Sequence, residues 1–228
     1  MNKMFFFFLL GLMAIMPLAA EKHPQAAALQ RFIDQNPIES RIPEMMIYIS
    51  QKSEELNAAG YDLYLKKRYP EAIAQFEQAV QADADNSFAW YNMACCYALT
   101  NEGYKASQCL EEAVGRDWFW GLQLMVDPDL DGVRYTGISY EYAEYDPWDK
   151  PVFTHHLYEN GTVDFYDDQF YQSGTPRKLG SGYFCIISYG AVFEFFPFLD
   201  SYMVDGPNGP IGIPAANNVV KLPNIALR

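Results

Sequence analysis

The residues whose types could do chemistry lie together in the second half of the chain. His155 and His156 are adjacent, and Asp164, Asp167 and Asp168 follow across a predicted hairpin. Imidazole and carboxylate groups bind zinc and also act as bases in hydrolases. Alternation along a strand sends the two histidines to opposite faces, so one ion reaches both only if the strand bulges. We therefore predict surface or cross-strand packing and no metal site, with a hydrolase of dispersed catalytic residues as an alternative.

A second acidic group resembles the beginning of a calcium-binding EF-hand loop. Asp127, Asp129 and Asp131 alternate and are followed by Gly132. The twelfth position of that loop must supply a bidentate carboxylate, and here it is Ile138. Asp127 followed by proline is instead typical of a helix cap and first turn. The sequence predicts no cofactor at this segment.

Catalytic motifs are absent from the sequence. The chain has three histidines, and it lacks the Gly-x-Ser-x-Gly, His-Glu-x-x-His and P-loop patterns. Nucleophilic catalysis needs a nucleophile, a base and an orienting group in mutual reach. We interpret the protein as a binding module and not as an enzyme.

The charge balance limits the classes of partner. The 228 residues include 16 basic and 29 acidic side chains, which gives a formal net charge of −13. A nucleic-acid partner is excluded on this ground, because the phosphate backbone needs a basic surface. The acidic residues are scattered, as on a solvated surface, and a basic partner stays open.

The first residues have the pattern of a secretory signal peptide. Lys3 precedes an apolar run from Phe5, and the run ends in Ala19 and Ala20 before charged residues. The run is shorter than the roughly 20 residues that span a bilayer. Residues 1–20 are therefore predicted to be cleaved, leaving a periplasmic or secreted chain without a membrane span.

The four cysteines do not form the spacing of a small disulfide scaffold. Cys95 and Cys96 are adjacent in a helical stretch, and Cys109 and Cys185 lie elsewhere. Free cysteines of this kind pack as small apolar side chains. A bridge between the adjacent pair and Cys109 is the alternative.

An internal repeat decides the predicted architecture. Residues 53–86 align without a gap to residues 87–120, at a period of 34. Side chains of matching size recur, and small ones recur where helices must touch. The matching positions are Leu56 with Trp90, Ala59 with Met93, Gly60 with Ala94, Leu63 with Tyr97, Ala72 with Ala106, Phe76 with Leu110, and Ala79 with Ala113.

These positions resemble the tetratricopeptide repeat. The family pattern has a large apolar, a small and an aromatic residue in the first helix, then alanine, an aromatic or aliphatic, and alanine in the second. Residues 127–134 resemble the Asp-Pro-Asp-Leu ending that follows the last repeat in bacterial members. The resemblance implies a helical solenoid over residues 21–134. Helices within 25–35 and 43–52 are expected to cap the first hairpin.

The resemblance also implies a binding site. Such repeats bind peptides or helices on the concave surface formed by the first helix of each hairpin. That groove would be aromatic, without the basic residues that grip a carboxylate, so it suits apolar or aromatic anchors. Packing of its tyrosines against the C-terminal region is the alternative. The groove positions are Asn57, Tyr61, Tyr64, Phe88, Tyr91 and Cys95.

From residue 135 the pattern changes to alternation and aromatic residues. We predict strands at 152–158 and 162–166 around an Asn160-Gly161 turn, and a second pair at 183–189 and 192–196. This unit covers residues 135–205, and a Gly- and Pro-rich extended tail covers 206–228.

The predicted fold class is α+β, a tetratricopeptide solenoid followed by a small antiparallel β unit. The predicted function is that of an exported adaptor whose groove binds a protein or peptide. The alternative is a protein that binds a ligand, such as a glycan, or an envelope component through the aromatic β region.

Overall fold

The computed structural model describes most of the chain from residue 25 to residue 220. The predicted signal peptide, residues 1–20, lies outside the described residues, as does most of the predicted capping segment 43–52. The described residues are 25–35, 49–117, 119–145, 148, 151–168, 176–188, 192–195, 202–206, 209–213 and 219–220.

The first half of the described chain is helical, and its long helices pair as two hairpins. Each hairpin turns through one residue with a positive φ, Lys67 at 57° and Asn101 at 61°, and these two positions are one repeat period apart. Within the described residues the six α-helices are α1 Ala26–Gln35, α2 Gln51–Leu65, α3 Tyr69–Ala82, α4 Ser87–Leu99, α5 Gly103–Arg116 and α6 Phe119–Gln123.

The positions that match between the repeats form the contacts between helices. The second helix of each hairpin presents alanine, a large apolar residue and alanine, and all six side chains are fully buried. Small residues at these positions allow two helix backbones to approach closely. The residues are Ala72, Phe76 and Ala79 in α3, and Ala106, Leu110 and Ala113 in α5.

A buried polar network joins one hairpin to the next. The Ser53 hydroxyl donates to the Ala79 carbonyl oxygen at 2.8 Å and accepts from the Asn86 amide at 2.9 Å. The Asn86 side chain also accepts from the Ala89 backbone N–H at 3.1 Å, which caps α4. Because a buried polar group is costly when unpaired, this network fixes how the hairpins sit against each other.

The second half of the described chain consists of β-strands. They are β1 Arg134–Tyr135, β2 Tyr140–Tyr145, β3 Pro151–Leu157, β4 Thr162–Asp167, β5 Arg177–Ile187, β6 Val192–Phe195, β7 Tyr202–Gly206, β8 Gly209–Ile213 and β9 Val219–Val220. Seven of them form an antiparallel sheet with strand order β2-β3-β4-β5-β6-β9, in which β1 also pairs with β5, and β7 and β8 form a separate hairpin.

The two faces of β5 and β6 enter different cores. One face belongs to the same buried cluster as the helices, through Cys185, Ile187, Phe193 and Phe195. The opposite face joins a second cluster within the sheet, which includes Phe165. The helical and β parts therefore share a core.

The sheet curls around its inner cluster. His155 of β3 lies 2.8 Å from Glu194 of β6, measured from Nδ1 to Oε2, although β4 and β5 separate these strands. In a flat sheet the strands would be about 14 Å apart. The contact therefore requires strong curvature.

The α+β class is confirmed, and the predicted strands fall on β3 to β6. The Asn160-Gly161 turn has Gly161 at φ 79°, as a tight hairpin turn requires. The structure adds β1, β2 and β9 to the sheet. It also places strands β8 and β9 in the segment predicted to be an extended tail.

Helix α1 packs at the junction of the helical and β parts. Leu29 and Ile33 are buried, α1 contacts α6, and the Phe32 ring meets Phe195 of β6 edge-on at 5.5 Å. The sequence pattern predicts this helix as a cap on the first hairpin. Among the described residues, no helix has the length and hydropathy needed to cross a membrane.

We predict opposite effects for two helical glycine-to-alanine substitutions. In Gly60→Ala the new Cβ would lie 2.6 Å from the buried Phe76 ring, so the free energy of unfolding should fall by about 1–3 kcal/mol. In the control Gly115→Ala the new Cβ contacts nothing within 4 Å. The gain in helix propensity should therefore raise the free energy of unfolding by up to about 1 kcal/mol. Urea unfolding measures both, and equal stability of Gly60→Ala and the wild type would contradict the close packing.

Candidate functional site

The three predicted groove residues on α4 are covered by the chain itself. Tyr91 is 4% exposed and stacks on Trp120 of α6, with ring centroids 4.3 Å apart. Phe88 meets the same indole edge-on at 5.3 Å. Cys95 is buried, with Sγ 3.9 Å from Asp127 Oδ2. Tyr91 and Cys95 are therefore closed to an outside partner, whereas Phe88 is half-buried.

The cover continues into residues 127–134, which we call the closing segment. The Tyr91 hydroxyl donates to Asp127 Oδ2 at 2.9 Å, and the Tyr64 hydroxyl donates to Asp129 Oδ2 at 2.5 Å. Asp127 also caps the short 3-10 helix Pro128–Leu130 by accepting from the Asp129 N–H at 3.0 Å. Two tyrosines, one from each hairpin, thus donate hydrogen bonds to neighbouring carboxylates of the closing segment. We call the group formed by Tyr64, Tyr91, Cys95, Asp127 and Asp129 the clasp.

Arg134 holds the closing segment from the other side. Its side chain is 1% exposed. Its Nη1 donates to the Leu124 carbonyl oxygen at 2.6 Å and to the Asp127 carbonyl oxygen at 3.2 Å, while Nη2 pairs with the Asp131 carboxylate. A planar guanidinium can serve several fixed acceptors at once, which suits a turn rich in carbonyl groups. Arg134 therefore fixes the path of the segment over α4.

Burial shifts the pKa values of the side chains in the clasp. It raises the pKa of Asp127, although the hydrogen bonds from the Asp129 amide and Tyr91 act to lower it. Burial is also the largest cause that raises the pKa of Tyr91, Tyr64 and Cys95, and the neighbouring carboxylates add to it. The two hydroxyls thus stay protonated and act as donors.

The clasp contains the one group of described residues that brings three potential metal-ligand atoms together. Atoms of Cys95, Asp127 and Asp129 lie within 4.8 Å of one another. The carboxylates already accept from tyrosines, and the raised pKa of the Cys95 thiol opposes the thiolate that a metal requires. Asp131 turns away to Arg134, so the three aspartates of the loop do not converge. The arrangement works as a hydrogen-bonded clasp.

The groove residues on α2 remain accessible in part. Tyr61 is 46% exposed and stacks on Tyr64 at 5.5 Å, while Leu65, one turn further on, is also exposed. Asn57 is half-buried and accepts from Asn92 at 3.1 Å, which links α2 to α4. We call Asn57, Tyr61, Tyr64 and Leu65 the α2 stripe, because their spacing places them on one helix face.

The structure separates the two histidines of the predicted hairpin. His155 points into the curled sheet and pairs with Glu194, and both side chains are buried. His156 lies on the outer face, with Nδ1 3.1 Å from Glu141 Oε2. Asp164 shares that outer face and bonds Lys178. Opposite orientation was expected from strand alternation, and the structure confirms it.

The remaining two acids of that hairpin also have separate partners. Asp167 is buried, and its Oδ2 lies 3.7 Å from Nη2 of Arg177. Asp168 accepts from the Thr154 hydroxyl at 2.5 Å. The five candidate side chains therefore serve several contacts instead of a shared centre.

All four cysteines are free and buried. Burial raises the pKa of Cys96, Cys109 and Cys185 to about 12 in each case. Such thiols are poor nucleophiles at neutral pH. The disulfide alternative is thus not the form that the structure describes.

Sequence reasoning missed the residues that cover α4. The sequence pattern assigns no contact to Trp120, Asp129 or Arg134. A usable signal was the strongly apolar run after α5, since a helix of that composition must be buried on a neighbour. Glu194 gave no signal of its pairing with His155.

We predict that Arg134→Lys destabilises the protein strongly. The three acceptors on residues 124, 127 and 131 are reached from two separate guanidinium nitrogens, Nη1 and Nη2. The single nitrogen of lysine cannot occupy both positions, so at least one buried oxygen loses its partner. We expect a loss of about 2–4 kcal/mol in the free energy of unfolding. The control Arg68→Lys alters an exposed pair with Glu71 and should leave the free energy of unfolding nearly unchanged. Similar losses in both variants would contradict the assigned role of Arg134.

The raised pKa of Asp127 predicts a pH dependence with a definite sign. Its folded-state pKa lies above its ordinary value of 3.8, so protonation favours the folded state. The stability of the wild type relative to Asp127→Asn should be highest at acid pH and fall as pH rises above 3.8. Urea unfolding of both proteins at pH values below and above 3.8 measures this difference in stability. A stability of the wild type relative to Asp127→Asn that grows with pH would contradict the prediction.

Comparison with known proteins identifies a partial relative. The chain is similar to a chloroplastic protein of Arabidopsis thaliana, at 28% identity over 107 residues. The match covers 42% of this chain and 32% of that protein, so the chain spans about a third of its length. No family model and no solved structure matches the chain.

Proposed function

We propose that the protein is a tetratricopeptide-type adaptor that binds a protein or peptide segment along the α2 stripe. The observation that carries the proposal is the accessible aromatic and apolar face of α2, beside a clasp that closes the rest of the groove. The proposed role is binding and not catalysis.

The paired helices support the repeat assignment. Hairpins α2–α3 and α4–α5 contact each other through positions that repeat in sequence, and Lys67 and Asn101 turn them in the same way. Repeats of this kind present the first helix of each hairpin to a partner. Here that leaves α2, since Trp120 and the closing segment cover α4.

The α2 stripe is suited to a short segment with apolar or aromatic anchors. From Asn57 to Leu65 it extends about 12 Å along the helix. An extended peptide of three or four residues, or about two turns of a helix, matches this length. Tyr61 and Leu65 are exposed, whereas Tyr64 is held in place by Asp129, so one wall of the site is pre-organised.

The proposed place of action is outside the cytoplasm, after removal of residues 1–20. This part of the proposal rests on the basic start, apolar run and small residues of the first twenty positions. The net charge of −13 is a further reason to expect a partner that is not a nucleic acid.

The test is affinity capture from an extract of the source cells, with mass spectrometry of the retained proteins. We expect Tyr61→Ala combined with Leu65→Ala to reduce the capture of a partner at least about tenfold, because exposed aromatic and aliphatic anchors supply much of a peptide's binding energy. Both side chains are exposed, so the variant should keep its circular-dichroism spectrum and melting temperature.

Tyr104→Ala is the matched control, since Tyr104 is 65% exposed on α5, away from the α2 stripe. A partner captured equally by the wild type and both variants binds elsewhere and refutes the site. Failure to retain any partner refutes the adaptor function.

A further inference from the structure

The outer face of the sheet carries a row of polar side chains in direct register. Glu141 of β2 pairs with His156 of β3, His156 with Asp164 of β4, and Asp164 with Ser181 of β5. Side chains opposite each other on one face of antiparallel strands lie about 5 Å apart. The row is therefore a continuous polar strip across four strands, which we call the outer strip.

Asp164 is the centre of the outer strip. Its carboxylate accepts from Ser181 Oγ at 2.7 Å, from Lys178 Nζ at 2.7 Å and from the Tyr158 hydroxyl at 3.1 Å. Partial burial opposes ionisation, but the hydrogen bonds from Lys178 and Ser181 outweigh it and lower the pKa of Asp164. A fixed anion is thus surrounded by hydroxyl groups that can still accept a further hydrogen bond.

His156 has a defined orientation in the strip. Its Nδ1 faces the Glu141 carboxylate, and its ring meets Tyr166 edge-on at 4.9 Å. When Nδ1–H donates to a carboxylate, Nε2 of the neutral imidazole is an acceptor. The strip therefore offers an oriented ring nitrogen beside the Asp164 cluster.

Each carboxylate of the strip already has a partner. Asp164 forms an ion pair with Lys178, and Glu141 lies against Nδ1 of His156. Neither carboxylate is therefore left without a partner to bind a cation, and the net charge of −13 on the chain repels polyanions. The complementary ligand is uncharged and rich in groups that both donate and accept hydrogen bonds.

Aromatic rings flank the polar row. Tyr158 is 40% exposed at one end of β3, and Tyr166 lies half-buried on the other side of Asp164. Tyrosine rings give a large contact area at low conformational cost, and their hydroxyls add a polar contact. Rings beside a row of carboxylate and hydroxyl groups match a sugar, which has C–H faces and hydroxyl edges.

We propose that the outer strip binds a neutral oligosaccharide. Its hydroxyls exchange hydrogen bonds with Asp164, Ser181 and Nε2 of His156, and its C–H face packs on Tyr158. This site lies on the sheet and is separate from the α2 stripe, so the two proposals stand or fall independently. Ser181 lies on the same face of β5 as Cys185 and Ile187, which pack against the helices. The strip itself stays accessible, because the Glu141 and His156 side chains are 63% and 37% exposed and Ser181 is exposed.

The test is isothermal titration calorimetry of residues 21–228 with maltohexaose, cellohexaose and chitohexaose. One of these neutral probes should bind. Tyr158→Ala should weaken its affinity about tenfold through the lost ring contact. Asp164→Asn should weaken it similarly, because the amide replaces one acceptor oxygen by a donor.

Matched controls separate binding from folding. Tyr104→Ala and Tyr61→Ala should bind the sugar as the wild type does, and Ser181→Ala provides a milder change at the strip if Asp164→Asn alters the melting temperature. Absence of heat with all three probes at millimolar concentration overturns the proposal. So does binding that Tyr158→Ala and Ser181→Ala both leave unchanged.

Discussion

The buried guanidinium of Arg134 is the constraint on which the rest of the structure depends. It gathers the carbonyl oxygens of residues 124 and 127 and the Asp131 carboxylate, which bends the chain over α4. The same residue begins the sheet, because Arg134 pairs with Ile187 of β5. A side chain buried this deeply with a full charge must keep its partners. The end of the helical part and the start of the sheet are therefore set by one residue.

The closing segment changes what the helical part can offer to a partner. In an open solenoid the first helices of both hairpins would form one groove, whereas here Trp120 and Asp127 cover α4 and Asp129 accepts a hydrogen bond from Tyr64 of α2. Their contacts resemble those of a bound peptide, since an aromatic ring and acidic side chains meet tyrosines. The chain thus covers α4 with its own residues and leaves Tyr61 and Leu65 of the α2 stripe exposed.

Much of the fold could be predicted from local pattern. The period of 34 indicated the hairpins, because Ala72 and Ala106 must be small where helices touch, and Asn160-Gly161 indicated the β3–β4 turn, because glycine accepts the positive φ. The burial of Tyr91 under Trp120 and Asp127 could not be predicted from local pattern. Periodicity shows that a surface is apolar, but not which segment buries it. The pairing of His155 with Glu194 depends on sheet curvature, which neither residue encodes locally.

The core shared by helices and sheet has a consequence for how the chain reaches its native state. Phe193 and Phe195 complete a cluster that begins with Leu29 and includes Ala72, so the helical hairpins lack part of their packing until residue 195 has been synthesised. Contacts between positions so distant in sequence slow the search for the native topology. A nascent chain therefore stays incompletely packed over most of its length.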